Sequence, residues 1–258
     1  MTVLRHLTHT FSEALAAALA LVLPVACAGC GAPDRSVCRA CMTALAGGEG
    51  DVVHLSVDEP GSDPLEVWSA VPYHGVVSSL LSGLKESGRT DVVGVLAETL
   101  TPALRSAYTQ TRARLPPGEP LHLTVAPSSR AAYRKRGYNP VELLAARARK
   151  GGTFCKDEAA PLSTTLRVRA VIADQAGLGV AARRDNLQGA LGLRRRFSGG
   201  TLEGRHFLLV DDVITSGATL LECRRALQAA GASVWGAVTL AHTESRSGLS
   251  AVRHVHDG

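Results

Sequence analysis

The clearest hydrophobic pattern lies in the last third of the chain. "HFLLVDD", from His206 to Asp212, is an apolar run that closes on two acids, as expected of a strand covered on both faces. "ATLLECRRALQAAG" follows, with Leu220, Cys223 and Leu227 on one side of a helix and Gly231 as its stop. "SVWGAVTLAH" then reads as a second strand. Strand, helix and strand with short joints predict a βαβ unit, hence a parallel sheet with a right-handed crossover.

The same reading extends upstream. "VWSAVPYHG" predicts a strand ending in a turn, and "VVSSLLSGLKESG" a helix burying Val77, Leu80, Leu81 and Leu84, ended by Gly88. A second helix, capped by Thr90, carries Val92, Val95, Leu96 and Leu100 on one face, and "RLPPGEP" breaks the pattern. "LHLTVAP" alternates as a strand, and Asn139-Pro140 supplies an N-cap and a first-turn proline for "VELLAARARK". Residues 67–258 are thus expected to form one α/β domain. Ahead of it, 46–66 is acidic and contains Gly and Pro, and reads as a linker with one short strand at Val52–Val57.

Residues 1–45 carry a different signal, Cys27-x2-Cys30-x7-Cys38-x2-Cys41. Two CxxC knuckles offer four soft thiolates to a tetrahedral Zn²⁺ with no open position, so the expected role is structural. Two disulfides or unbound thiols are the alternative. The preceding "EALAAALALVLPVACAGC" has the composition of a signal-peptide core, with Ala26-Cys27-Ala28 as a small-residue cleavage site. Its apolar run, Ala14 to Leu23, is too short to span a bilayer. Thr10-Phe11-Ser12-Glu13 fits a capping box, and cleavage after Ala28 would remove one cysteine of the quartet. The expectation is a cytoplasmic protein in which a short helix leads into the metal knot.

Length and charge sharpen this only a little. The 258 residues suit one large domain plus a small accessory unit, and the formal charge of +5 suits an anionic ligand without requiring one. Cys155 and Cys223 read as packing residues, and the terminal "RHVHDG" as a frayed tail.

The chemistry concentrates in "FLLVDDVITSGAT". Asp211 and Asp212 close a strand, where ligands of open α/β sheets bind. Thr215, Ser216, Gly217, Ala218 and Thr219 lead into a helix whose first N–H groups can cradle a phosphate. Carboxylates that accept from sugar hydroxyls, beside a phosphate cradle, match a ribose 5-phosphate. A Walker B strand would need a GxxxxGK[ST] loop, which the chain lacks. A receiver domain would need a later Asp and Lys, yet the only Asp after Asp212 is Asp257 and no Lys follows Lys156. A strand end with merely structural polar capping stays open.

The stretch resembles the phosphoribosyl-diphosphate (PRPP) motif of type I phosphoribosyltransferases. By that resemblance Asp211 and Asp212 are the catalytic acids that hold the ribose hydroxyls, and Thr215 to Thr219 hold the 5-phosphate. Three more segments, "VPYHGVVSSLLSGLKESGR", "VAPSSRAAYRKRGYNPVELLA" and "DQAGLGVAARRDNLQGAL", resemble the ComF subgroup, which is linked with natural competence. Pro140 departs from that pattern, where Gln is usual. The resemblance implies a parallel-sheet type I phosphoribosyltransferase fold with a small N-terminal zinc unit, and Mg²⁺ acting with PRPP. It places a pyrophosphate loop at Ser128, Ser129 and Arg130. Arg134, Lys135, Arg136, Gln175, Arg183, Arg184 and Asn186 are then candidates for a lid or for a strip binding single-stranded nucleic acid. Three functions remain in view: a phosphoribosyltransferase, a single-stranded DNA uptake or processing factor working with competence proteins, and a PRPP-responsive regulator.

Overall fold

The computed structural model describes residues 25–33, 35–47, 52–59, 61–151, 160–169, 187–197, 201–243 and 249–254. The expected N-terminal helix, Cys155 and the lid candidates Gln175, Arg183, Arg184 and Asn186 lie outside them.

Among the described residues a seven-stranded sheet organises the fold. Its strands are β1 (Val53–Glu59), β2 (Ser62–Pro72), β3 (Leu121–Val125), β4 (Leu162–Ser163), β7 (His206–Ile214), β8 (Ser233–His242) and β9 (Leu249–His254), in the order β4-β3-β7-β8-β2-β1-β9. The run β4-β3-β7-β8-β2 is parallel throughout, whereas β1 is antiparallel to both its neighbours. A separate hairpin joins β5 (Leu166–Val168) to β6 (Leu191–Leu193). The helices are α1 (Arg39–Gly47), α2 (Gly75–Glu86), α3 (Val93–Arg112), α4 (Arg130–Arg136), α5 (Pro140–Gly151) and α6 (Ala218–Gln228).

The alternation along β7 shows how one apolar run serves two cores. Leu208 and Val210 join Leu80, Leu81 and Leu84 of α2, Leu96, Leu100 and Leu104 of α3, and Leu144 of α5. Phe207 and Leu209 point the other way, into a cluster with Leu220, Cys223 and Leu227 of α6 and with Leu55, Val57, Leu65 and Val67 of the β1–β2 hairpin. Helices cover both faces, which is why the strand is wholly apolar from Phe207 to Val210.

Two expectations need correction. Most of the stretch read as a linker is not a spacer: Val53–Glu59 pairs with β2 and β9, and Ser62–Pro72 runs beside β8. Its acids and turn residues belong to a hairpin whose alternate positions, Leu55, Val57 and Leu65, are buried. Arg224 of α6, itself 5% exposed, clamps that hairpin by pairing with Glu59 and donating to the Asp63 carbonyl at 2.8 Å. The second correction concerns the tail, because Arg253 and His254 extend β9 along β1 instead of fraying.

The cysteine knot is docked on the sheet domain. Cys27, Val37, Cys41 and Leu45 share the core that contains α2 and α3. Arg89, held by Asp91 at 2.8 Å, donates to the carbonyls of Ala26 and Ser36 at 2.9 and 3.4 Å. No helix among the described residues is long and apolar enough to cross a membrane.

Candidate functional site

Strand β3 ends at Val125, opposite Val210, and the chain then turns away, with the Ala126 N–H still bonded to the Val210 carbonyl at 2.9 Å. Asp211 and Asp212 therefore stand just past the end of their neighbour strand. Helix α5, which follows β3, packs in one core, and α6, which follows β7, packs in the other. The connections diverge here, and a crevice at the carboxyl ends of diverging strands is where open α/β sheets bind ligands.

The two carboxylates have different surroundings, because successive side chains on a strand face opposite ways. Asp212 is 8% exposed and pairs with the Lys85 ammonium of α2 at 2.9 Å. Burial disfavours the Lys85 charge, but Asp212 more than offsets this and holds the ammonium above its ordinary value. Asp211 accepts the Asp212 N–H at 2.8 Å. Burial, then the neighbouring charge of Asp212, push its carboxyl up to about 7.

The loop after β7 packs closely on β1 and turns at a glycine. Gly217 caps α6 in the left-handed region at φ 73°. A Cβ there would lie 2.5 Å from a Val57 methyl. Ser216 and Ala218 are buried, whereas Thr215 and Thr219 are exposed. Gly217→Ala should cost about 1–2 kcal/mol in backbone strain alone, before any clash. Its melting temperature should fall by roughly 4 °C or more, as measured by calorimetry or circular dichroism.

A cavity of about 660 Å³ opens beside the end of β3, lined by Pro127, Ser128, Arg130, Tyr133, Arg134 and Asn139, by Arg167 and Val168 of β5, and by Arg194 and Arg195 just after β6. Ser129 does not line it. Its hydroxyl caps α4 by accepting from the Ala132 N–H at 3.1 Å. Of the basic triplet, Arg134 faces the cavity. Lys135 instead pairs with Glu86 at 3.1 Å, and Arg136 donates to the Lys85 carbonyl at 3.2 Å. Asn139, 4% exposed, caps α5 through the Val141 N–H and donates to the Ala126 carbonyl, each at 3.0 Å, fixing the end of β3. Glu222 of α6 accepts the Leu191 N–H at 2.9 Å and so ties β6 to the helix that begins after Gly217.

No role was read for Lys85, Arg167, Arg194 or Arg195 from the sequence. Lys85 lies in the ComF-like segment, at the edge of the Leu81–Leu84 apolar face. Arg167, Arg194 and Arg195 fall on or beside strands of three residues each, too short to show alternation.

The four knot sulfurs lie within 4.8 Å of one another, near the roughly 3.8 Å edge of a tetrahedron with 2.3 Å zinc–sulfur bonds. Burial works against the Cys27 thiolate, but N–H donors from Cys38, Cys30 and Gly29 bring its thiol down to about 6. Burial and the other thiols push Cys41 well up. The Cys38 N–H donates to the Cys27 sulfur at 3.2 Å. This cluster can hold a metal ion through all four thiols.

The family model for the phosphoribosyl transferase domain matches residues 159–255, which contain the acid pair and its loop. The DNA utilization protein YhgH of Escherichia coli O157:H7 is 29% identical over 166 residues, 63% of this chain and 67% of that protein. Residues 159–255 thus match the phosphoribosyl transferase domain, and the chain is similar to a protein named for DNA utilization. Among solved structures, a hypoxanthine phosphoribosyltransferase from Staphylococcus aureus is 14% identical with a TM-score of 0.33, covering 64% of this chain and 71% of its own. An orotate phosphoribosyltransferase from Aeropyrum pernix is 16% identical with a TM-score of 0.30, covering 80% and 84%. The family match begins just before β4, so β3, α4 and most of the arginine-lined cavity precede it.

Proposed function

We propose that this ComF-type protein binds PRPP together with Mg²⁺ in the crevice between β3 and β7 and transfers its phosphoribosyl group. The observation that carries the reading is the placement of Asp211 and Asp212 at the point where the connections diverge, next to a helix N-terminus capped by Gly217. The carboxylates accept from the ribose hydroxyls. The loop from Thr215 to Thr219 takes the 5-phosphate, through N–H groups at the start of α6 and the exposed hydroxyls of Thr215 and Thr219. Departure of pyrophosphate leaves positive charge on the ribose, which nearby carboxylates favour. Ser128, Arg130 and Arg134 face the cavity that receives the pyrophosphate, with Arg167, Arg194 and Arg195 opposite. Mg²⁺ arriving with PRPP would neutralise the pyrophosphate oxygens.

The cysteine quartet is read as a structural zinc site, whose thiolates suit a reducing compartment such as the cytoplasm. A second reading has its own support. The relative named for DNA utilization, together with a cavity that places Tyr133, 47% exposed, among arginines, favours single-stranded DNA as a further ligand.

One titration series tests both readings. PRPP with Mg²⁺ should bind the wild type in calorimetry, and a pyrophosphate-release assay across bases should find an acceptor. Absence of PRPP affinity would overturn the central reading. Single-stranded DNA, if bound, should weaken steeply with salt because phosphate neutralisation releases counterions. Arg134→Ala should flatten that slope, whereas Lys135→Ala should not.

A further inference from the structure

Lys85 lies outside both the acid-pair stretch and residues 159–255 of the family match, in the ComF-like segment "VPYHGVVSSLLSGLKESGR", and no role follows from that resemblance. A lysine in the last turn of a helix ordinarily faces solvent, where it favours the helix dipole. This one instead directs its ammonium to a carboxylate that is 8% exposed. The end of α2 is fixed so that it does. The Tyr138 hydroxyl donates to the Leu84 carbonyl at 2.6 Å, Arg136 donates to the Lys85 carbonyl at 3.2 Å, and the N–H groups of Ser87 and Arg89 both close on the Gly83 carbonyl at 3.1 Å. Arg136 ends α4 and Tyr138 follows its Gly137 cap, so the lysine is braced by the segment that borders the arginine-lined cavity.

We infer that Lys85 is a positioning residue for ribose recognition: its ammonium occupies one oxygen of Asp212 and turns the other toward a ligand hydroxyl. The inference rests on the PRPP reading above. A carboxylate offers two oxygens with about four acceptor directions. The Lys85 bond is made to Oδ2, which leaves Oδ1 for the ligand. Lys85 also supplies positive charge beside two adjacent acids, whose mutual repulsion would otherwise turn one of them away.

The experiment is calorimetric titration of the full-length protein with PRPP, and separately with inorganic pyrophosphate, both with Mg²⁺. Wild type, Lys85→Met, Asp212→Asn and the double variant are compared, with melting curves on each. Lys85→Met should weaken PRPP by about tenfold or more and leave pyrophosphate, which has no hydroxyls to offer, within about twofold. The double variant should bind PRPP no more weakly than Asp212→Asn alone, because the lysine acts through that carboxylate. Unchanged PRPP affinity in Lys85→Met, additive losses in the double variant, or a parallel loss of pyrophosphate would each overturn the assignment. Should the methionine variant melt much earlier than wild type, Lys85→Gln replaces it under the same criteria. Wild type binding no PRPP removes the functional reading as well, whereas normal wild-type binding with an indifferent Lys85→Met removes this inference alone.

Discussion

Cys38→Ser should lower the melting temperature of the entire described fold, in one transition, by roughly 10 °C or more. Four thiolates around one metal ion contribute binding free energy that is also folding free energy, on the order of 10 kcal/mol for a structural zinc site. Removing one ligand forfeits a large part of it, and about 1 kcal/mol corresponds to 2–4 °C in a domain of this size. With 46–66 as a linker, the loss would unfold the N-terminal unit more than the sheet domain. The structure argues for a shared collapse. Cys27, Val37, Cys41 and Leu45 pack in the same core as Leu80, Leu84, Leu96 and Leu100, and Arg89 bonds the knot to the start of the sheet domain. Calorimetry, with elemental analysis of protein purified without a His tag, checks both parts. Wild-type protein carrying no zinc and four free thiols would sink the metal site. A local loss that leaves the main transition unmoved would restore the picture of two separate units.

The contrast between the acid pair and its surroundings shows what sequence can carry. Asp211, Asp212 and Gly217 were legible because strand, acids and helix start are consecutive, so their order alone implies a strand end beside a helix N-terminus. The βαβ unit was legible for the same reason. Lys85 reaches Asp212 across more than a hundred positions of sequence, and only the packing of α2 on β7 brings the two together. Arg167 sits on a strand of three residues and Arg194 and Arg195 just beyond another, both too short for alternation to register. Strands at Val52–Val57 and in "VWSAVPYHG" were legible, but their pairing into the β1–β2 hairpin was not, because the acids and turn residues between them read as a spacer and the buried positions gain meaning only once α6 lies over them. Local chemistry was therefore clearest, and the side chains that orient it needed the tertiary structure.

Asp211→Asn is expected to stabilise the protein at pH 8 while weakening its grip on PRPP. Burial and the adjacent Asp212 raise the Asp211 carboxyl to about 7 in the folded chain, against about 3.9 in an unfolded one. Between those values the folded state holds a proton that the unfolded state has released, so this group makes stability fall as pH rises through the window. Above pH 7 the ionised pair is a standing cost that an asparagine removes. Asparagine also keeps the oxygen that accepts the Asp212 N–H. Each kcal/mol recovered should appear as about 2–4 °C in the melting temperature at pH 8, and the gain should vanish near pH 4. Function should move the other way. A ribose hydroxyl donates more strongly to a carboxylate than to an amide, so PRPP affinity should drop by about tenfold or more. Wild-type affinity should climb as pH rises through about 7, with proton release on binding below that point, and both features should be absent from the variant. Melting curves from pH 4 to 8, and PRPP titrations in two buffers of different ionisation enthalpy, measure these effects. A variant less stable than wild type at pH 8 would make Asp211 a structural cap. One that binds PRPP as tightly as wild type would remove it from the ribose site.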